Sequence, residues 1–349
     1  MAVSTERDPV ALRGDLGRWL SAQTGAQPVE VGEVSIPGLS GFSNETLLFE
    51  ATWDGEVHPL VIRVEPTGHT VFPATAFDTQ VQVMRALRAE GTVPVPDVLW
   101  LEEDPSILGA RFLCMRRVDG QVPADATGYH GDGWMLALPP DRQRRLWESG
   151  IDTMARIHQL DRVALGLGSI AAVTPEEQLR LDRAYRSFAC GDAPYPAVDR
   201  AFELLDASLP PATDRPALCW GDSRIGNMIF GDDQRVAAVL DWEMVTAGDP
   251  VQDLAWYLLL DRHHVLAFDA TRLPGLPPRE ESIARWSRAS GHPATHLEWY
   301  ELLGAARYAS IMVRVMTLLD STGVFPGAAD NAFDQSGTRL LELMLDERT

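Results

Sequence analysis

Cysteine is scarce in this sequence, and basic residues are far outnumbered by acidic ones. The three cysteines, Cys114, Cys190 and Cys219, are too few and too widely spaced to indicate a disulfide framework or a zinc site. The 50 acidic residues against 30 basic ones give a formal net charge of −20, which argues against a nucleic-acid or anionic-membrane partner. This charge fits a cationic or neutral small molecule somewhat better, and it is also what solubility alone would favour.

Long apolar runs are missing as well. Charged residues stand near the N-terminus where a secretory signal would need an apolar core, and no run reaches the roughly 18–20 apolar residues of a membrane span. No Gly-x-Ser-x-Gly elbow occurs, which disfavours an acyl hydrolase. The sequence therefore predicts a soluble, cytoplasmic protein without a membrane partner.

The first third of the chain has the pattern of a small antiparallel sheet with one inserted helix. Asp54-Gly55 stands between two apolar segments that alternate, and both residues tolerate the positive φ that a tight hairpin turn requires. The predicted elements are a leading helix over 8–22, strands over 29–36, 46–53, 57–64, 98–101 and 111–118, and a helix over 77–90.

The rest of the chain is mainly helical and contains one further hairpin. Helices are predicted over 142–160, 175–189, 198–208, 251–262, 279–290, 294–320 and 330–346. Gly120 and Pro123 mark a connector between the two halves. The predicted fold class is α+β, with a sheet lobe over 1–118, a helical lobe over 119–349 and a ligand cleft between them.

The second hairpin, at 217–243, carries polar groups at its predicted open end. Its strands fold back at a turn over 231–234, which brings Asn227 and Asp241 side by side. An amide oxygen and a carboxylate are hard ligands that suit Mg²⁺. Asp222, one loop earlier, is placed to accept the proton of an attacking hydroxyl, so the three residues together suit phosphoryl transfer from a nucleotide. Taken alone, Gly-Asp-x4-Asn is more often an Asx turn followed by a loop amide.

Three segments carry a resemblance to a known family, namely WGDSRIGN at 220–227, LDWE at 240–243 and GDPVQDLA at 248–255. They resemble segments of the aminoglycoside phosphotransferase and choline kinase family, the small-molecule relatives of protein kinases. The resemblance covers nearly the whole chain and extends to the kinase-like regions of some acyl-CoA dehydrogenases. It implies a bi-lobed protein-kinase-like fold, with Asp222 as catalytic base and Asn227 and Asp241 as magnesium ligands.

Three further residues, Asp249, Asp253 and His158, are interpreted as structural. The resemblance implies that Asp249 and Asp253 brace the catalytic loop, and Asp249 before a proline also has the pattern of a helix N-cap. His158, on an apolar helix face, is predicted to be a packing residue.

The same resemblance makes the sheet lobe the nucleotide-binding part, with ATP or GTP as co-substrate. It assigns to this site Gly41, Ser43 and Asn44 in the phosphate loop, Arg63 and Gln80 near the phosphates, and Met115 and Val118 beside the base. Arg63 replaces the family's phosphate-binding lysine, Gln80 replaces its glutamate partner, and Trp220 replaces the histidine before Gly-Asp. Arginine keeps the charge and glutamine can accept from it, so we predict a matched pair, and we interpret Trp220 as a packing change.

The predicted function is a magnesium-dependent transfer of the γ-phosphoryl group of ATP or GTP to a small-molecule hydroxyl, aminoglycoside-like or other. Arg224 and Glu243 are candidate acceptor contacts, while the segments 120–215 and 262–349 carry no code that identifies the acceptor. Three alternatives stay open. They are a nucleotide-binding pseudokinase or regulatory module, a kinase for hydroxyacyl thioesters, and a metal-dependent hydrolase that uses the same carboxylates without a nucleotide.

Overall fold

A computed structural model describes residues 9–36, 45–68, 70–74, 76–125 and 127–348. The chain forms two compact units, one made of residues 1–85 and 96–118 and the other of residues 86–95 and 119–349. The predicted phosphate-loop residues Gly41, Ser43 and Asn44 lie outside the described residues. The domain roles predicted for the two halves of the chain stay predictions.

The first unit is built on an antiparallel sheet of five strands in the order β1-β2-β3-β5-β4. The elements up to residue 118 are helix α1 (Pro9–Thr24), strands β1 (Glu30–Val31), β2 (Glu45–Trp53) and β3 (Glu56–Val64), helix α2 (Phe77–Glu90), and strands β4 (Val98–Glu102) and β5 (Phe112–Arg116). Asp54 and Gly55 have φ angles of 53° and 78°. The structure thus confirms the predicted β2–β3 hairpin and the reason for its turn residues.

Helix α1 is held on this sheet by a stripe of leucines at helical spacing. Leu12, Leu16 and Leu20 are buried and belong to one core with Leu47 and Phe112 of the sheet. Burying one leucine side chain stabilises a protein by about 1.5–3 kcal/mol. Three such residues on one face are therefore enough to fix α1 against the strands.

Two predicted strands are shorter than expected: the one over 111–118 is Phe112–Arg116, and the one over 29–36 is shortened more. The alternation over 29–36 predicts a continuous strand, but β1 ends at Val31 and pairing resumes only at an isolated bridge from Ser35 to Leu48. Val31 lies opposite Ala51 and Ser35 lies opposite Leu48. The edge therefore advances four residues between these pairs, whereas β2 advances three. The extra residue interrupts the ladder in the way a β-bulge does.

The second unit is mainly helical and contains two small β-ribbons. Its elements are helices α3 (Pro140–Gln159), α4 (Pro175–Cys190) and α5 (Pro196–Ala207), strands β6 (Ala217–Cys219), β7 (Met228–Phe230), β8 (Val236–Val239) and β9 (Thr246–Gly248), and helices α6 (Val251–Ala267), α7 (Arg279–Ser290), α8 (Leu297–Ser321) and α9 (Ser336–Asp346). Strand β6 pairs with β9, and β7 pairs with β8. The β6–β9 ribbon is not predicted from the sequence, because three-residue strands are too short to show alternation.

Helix α8 packs against α4, α5, α6 and α9. It begins at Leu297 rather than at 294, because Pro293 precedes it and His296 forms its N-cap with a φ of 58°. Among the described residues, α8 alone is long and apolar enough to cross a membrane by length and composition, and 56% of its most apolar window is buried inside the protein. Its position in the core of the helical unit accounts for its apolar composition.

Candidate active site

The β7–β8 hairpin provides the framework of the site. Met228 pairs with Val239, and the Leu240 N–H donates to the Asn227 carbonyl oxygen at 2.8 Å. The fold-back therefore brings Asn227 and Asp241 to the same end of the hairpin, as predicted. Asp241 has a left-handed backbone with a φ of 56°, a conformation that costs a non-glycine residue about 1–2 kcal/mol.

The loop before β7 requires a glycine ahead of Asp222. Gly221 has a φ of 91°, and a Cβ atom built on it would lie 2.0 Å from the carbonyl oxygen of Met244. Any side chain at this position would therefore collide with the backbone that follows Asp241. The glycine of the Gly-Asp pair lets the catalytic loop and the segment after the hairpin pack directly on each other.

Asp253, on α6, holds the backbone of this loop through two hydrogen bonds. Its two carboxylate oxygens accept from the Trp220 N–H at 2.7 Å and the Gly221 N–H at 2.9 Å. His158 Nε2 donates to the same carboxylate at 2.9 Å, because the other ring nitrogen of His158 accepts from Trp286 at 3.0 Å. The structure confirms that Asp253 braces the loop and that His158 is a packing residue, and it identifies the contact between them.

Asp249 and Trp220 each add one further restraint. The Asp249 carboxylate accepts from the Val251 N–H at 3.0 Å, so it satisfies an N–H at the start of α6, although Pro250 and not the predicted Asp249 occupies the N-cap position. Trp220 is fully buried, and its indole donates to the carbonyl oxygens of Leu240 at 2.9 Å and Asp241 at 3.0 Å. The interpretation of Trp220 as a packing change alone is therefore incomplete, since it ties the catalytic loop to the end of the hairpin.

The side chain of Asp222 is held by donors from three directions. Arg224 Nε donates to Oδ2 at 3.0 Å, Asn227 Nδ2 donates to the same oxygen at 2.6 Å, and Trp256 Nε1 donates to Oδ1 at 2.8 Å. Together these three hydrogen bonds engage both oxygens of the carboxylate. The loop thus holds the Asp222 side chain in a fixed orientation.

Arg224 links Asp222 to a second carboxylate. Its guanidinium also pairs with Asp125, which in turn contacts His264 Nε2 at 3.1 Å. Burial alone would lower the pKa of Arg224, but the charges of Asp222 and Asp125 raise it well above its usual range. Burial alone would raise the pKa of Asp125, but Arg224 and the hydrogen bond with His264 lower it well below its usual range. Both groups therefore carry full charge at neutral pH.

The donor set at the hairpin end fits a magnesium ion. Asn227 turns its amide nitrogen toward Asp222, so its amide oxygen faces the other way, and Asp241 supplies a carboxylate at the same hairpin end. In the described part of the chain no group of three or more His, Cys, Asp or Glu side chains could hold a metal. Two protein oxygens suit Mg²⁺, which keeps several waters and shares phosphate oxygens, better than they suit zinc or calcium.

The predicted nucleotide residues within the described chain lie in the first unit. Arg63 is half-buried in β3, opposite Thr46 and Leu113, and Gln80 is buried on α2. Met115 is buried in β5, and Val118 follows that strand. The predicted pairing of Arg63 with Gln80 and the roles of these residues stay predictions.

Three residues at the site are missed by sequence reasoning. Trp256 stands three residues after Asp253, a spacing that places both on one face of α6 and could have identified it. Asp125 and His264 lie 139 residues apart in the chain, so no local pattern connects them. Burial is the main cause that raises the pKa of Tyr185 on α4. The negative charge of Glu243, which is predicted to contact the acceptor, also raises this pKa.

Comparisons with known proteins identify the family and the fold of this chain. A model of the phosphotransferase enzyme family matches residues 36–296. A candidate aminoglycoside phosphotransferase from Ralstonia eutropha superposes with a TM-score of 0.70 at 23% identity, covering 95% of this chain and 98% of that one. A ternary complex of the aminoglycoside phosphotransferase APH(4)-Ia with ADP and hygromycin B has a TM-score of 0.57 at 16% identity, covering 94% and 98%. These likenesses confirm the predicted kinase-like α+β fold.

Curated relatives include longer proteins. Acyl-CoA dehydrogenase family member 10 from Mus musculus is 31% identical over 300 residues, which cover 82% of this chain and 26% of the relative. Family member 11 from Gallus gallus is 32% identical over 250 residues, which cover 70% of this chain and 30% of the relative. The chain thus spans about a quarter to a third of the length of these relatives. The predicted resemblance is confirmed in both of its branches.

Proposed function

Because the chain belongs to the phosphotransferase enzyme family, and is a phosphotransferase by that membership, we propose that it moves the γ-phosphoryl group of ATP or GTP to a small-molecule hydroxyl with the help of Mg²⁺. The observation that carries this proposal is the Asp222 carboxylate, held by three donors beside the hairpin end that presents Asn227 and Asp241. Two neighbours of the same fold support a nucleotide co-substrate, since one was solved with ADP and the other with GDP.

Each of these residues has a defined chemical role in the proposal. Asp222 orients the acceptor hydroxyl and takes its proton while the oxygen attacks the γ-phosphorus. Asn227 and Asp241 would hold Mg²⁺, which supplies charge neutralisation for the phosphates. Positioning and electrostatic stabilisation supply most of the catalysis in such a transfer, so a base fixed by several hydrogen bonds is the feature to expect.

The nucleotide is assigned to residues of the first unit. We assign Arg63 and Gln80 to its phosphates and Met115 and Val118 to its base, with the loop residues Gly41, Ser43 and Asn44 as further phosphate contacts. All 30 basic residues of the chain are arginines, and lysine is absent. Arginine at position 63 therefore follows the composition of the whole chain, which weakens the case for a pseudokinase that this substitution would otherwise make.

The acceptor is assigned to a hydroxyl-bearing metabolite that contacts Arg224 and Glu243. Aminoglycosides are one candidate class, supported by the solved structures of the same fold. Hydroxyacyl thioesters are the second candidate class, supported by the relatives that carry the name acyl-CoA dehydrogenase. The guanidinium of Arg224 pairs with Asp222 and Asp125, and its remaining N–H groups suit a carboxylate or phosphate on the acceptor, whereas the carboxylate of Glu243 suits an amine.

A library experiment tests the proposal. The chain is incubated with Mg-ATP or Mg-GTP and a panel of aminoglycosides, simple alcohols and hydroxyacyl-CoA thioesters, and phosphorylated products are found by mass spectrometry. Asp222→Asn should reduce turnover by about 10²–10⁴-fold and leave nucleotide affinity nearly unchanged. Asp232→Asn, in the exposed turn of the same hairpin, should leave turnover unchanged.

Three outcomes would contradict parts of the proposal. Wild-type turnover in Asp222→Asn would remove Asp222 from the role of base. A thermal shift with Mg-nucleotide but no product and no nucleotide hydrolysis would favour the pseudokinase. Hydrolysis of a panel member with Mg²⁺ and no nucleotide would favour the hydrolase.

A further inference from the structure

The two carboxylate oxygens of Asp222 have different surroundings. Oδ2 accepts from Arg224 Nε at 3.0 Å and from Asn227 Nδ2 at 2.6 Å. Among the described residues, the donor on Oδ1 is the indole Nε1 of Trp256, at 2.8 Å. Each carboxylate oxygen has about two acceptor sites, so Oδ2 is filled and Oδ1 keeps one for an incoming donor.

The indole that contacts Oδ1 is locked in place by α8. Trp256 is 4% exposed, and a Cβ atom built on Gly304 would lie 3.4 Å from its ring. The Tyr308 ring meets the indole edge-on at 6.0 Å, and the Arg307 guanidinium lies 5.9 Å from the ring centroid. A side chain enclosed in this way has one rotamer available, so its N–H has a fixed direction.

One face of α6 forms hydrogen bonds both with the backbone next to Asp222 and with the Asp222 side chain. Asp253 accepts from the two peptide N–H groups that precede Asp222, and Trp256, one turn later, donates to the Asp222 side chain. A carboxylate fixed at its backbone can still rotate about its side-chain bonds. The indole contact removes that freedom on the side of Oδ1.

We propose that Trp256 is a positioning residue that orients Asp222 Oδ1 toward the acceptor hydroxyl, so that Oδ1 is the oxygen that receives the proton. This inference rests on the proposed function. The hydroxyl donates to Oδ1 while its oxygen forms a bond to the γ-phosphorus. The bond from that phosphorus to the bridging oxygen breaks, its electron pair leaves on the nucleoside diphosphate, and the proton ends on Oδ1.

Trp256→Phe tests this inference, because it keeps an aromatic ring in the enclosed site and removes the donor. The matched control is Trp299→Phe on α8, where a buried indole donates to the Leu205 carbonyl oxygen at 3.0 Å and does not contact Asp222. Rates are measured with Mg-ATP and Mg-GTP, using water, glycerol and any library member that the wild-type chain phosphorylates. Loss of a hydrogen bond to a charged group should lower kcat about tenfold or more, with the nucleotide KM within about twofold of wild type.

A second measurement does not depend on turnover. The chain has ten tryptophans, and the indole ¹⁵N resonance that is missing from Trp256→Phe belongs to Trp256. Asp222→Asn should shift this resonance and leave the Trp299 resonance in place. An unshifted Trp256 resonance would overturn the contact on which the inference depends.

The two proposals can fail separately. If the wild-type chain is active and Trp256→Phe equals it in kcat, the proposed function stands and the positioning role is overturned. If the wild-type chain transfers no phosphoryl group to any of these acceptors, the proposed function fails and the role of Trp256 fails with it. A drop in kcat for Trp256→Phe alone, with Trp299→Phe at the wild-type value, supports the inference.

Discussion

Asp253→Asn on α6 is the most informative single test of how the loop before β7 is held, because it keeps the shape of the side chain and alters only its hydrogen bonds. The Asp253 carboxylate is fully buried and accepts from the Trp220 N–H, the Gly221 N–H and His158 Nε2. An amide has one acceptor oxygen and one nitrogen that can only donate. In either orientation of the amide group, its nitrogen would therefore face an N–H donor that a carboxylate oxygen now accepts from.

The geometry shows which contact would be lost. Oδ2 accepts from Trp220 and His158, whereas Oδ1 accepts from Gly221 alone, so the amide nitrogen would replace Oδ1. A buried N–H without a partner costs about 1–3 kcal/mol, and the bonds that remain lose their charge-assisted strength. Removing a buried charge recovers part of its desolvation cost. We expect a net loss of about 3 kcal/mol in the free energy of unfolding, together with a displaced Gly221 and a fall in kcat.

Hydrogen exchange followed by mass spectrometry measures the local effect, and urea unfolding measures the global one. Peptides from the catalytic loop should exchange faster in Asp253→Asn, because the Gly221 amide has lost its acceptor. The control is Asp261→Asn, in which a buried carboxylate loses contacts with Tyr129, His130 and Arg272 elsewhere in the same unit. It should lose comparable stability without faster exchange in the catalytic loop. Wild-type stability and wild-type loop exchange in Asp253→Asn would refute this account of the loop.

Two further predictions follow from the backbone and from buried histidine. Asp241→Asn should keep the fold, since asparagine tolerates the observed φ of 56°, but it should weaken Mg²⁺ binding in isothermal titration with Mg-nucleotide, and unchanged affinity would contradict the ligand assignment. His263 has its pKa lowered to about 4 by burial and by the neighbouring His264, below the ordinary value of 6.5. The unfolded chain therefore binds the extra proton first, so stability is full above about pH 6.5 and falls by about 3 kcal/mol as the pH drops toward 4. Urea unfolding across this range should show a flatter dependence on pH in His263→Gln, and equal slopes in the two proteins would contradict the assignment.

The parts of the site that the sequence predicts are those encoded by local pattern. The turn of the β7–β8 hairpin and the apolar strands beside it bring Asn227 and Asp241 to the same end, and the structure has this hairpin. Helices α2 and α7 are also predicted with their observed limits, because a clear apolar period is bounded by glycine or proline. These elements are determined by local sequence, so a single sequence is enough to predict them.

The parts that the sequence does not predict depend on tertiary packing. Helix α6 is buried on nearly every face, so it has no amphipathic pattern to show which of its residues face the catalytic loop. Asp125 and His264 become neighbours only through the fold of the helical unit. In the sequence Trp220 is simply a large apolar residue. Its role as a donor depends on the carbonyl oxygens of Leu240 and Asp241, which only the fold brings next to its indole.

Helix α6 connects these unpredicted contacts into one mechanical support for Asp222. Asp253, Trp256 and His264 recur at intervals of about one and about two turns, so they lie along one stripe of the helix. The first holds the loop backbone, the second holds Oδ1, and the third contacts Asp125, which pairs with Arg224 on Oδ2. Helix α6 therefore contributes to restraining Asp222 at its backbone and at both of its oxygens. A helix positions a reacting group more reproducibly than a loop does, which is why a catalytic residue on a loop benefits from such support.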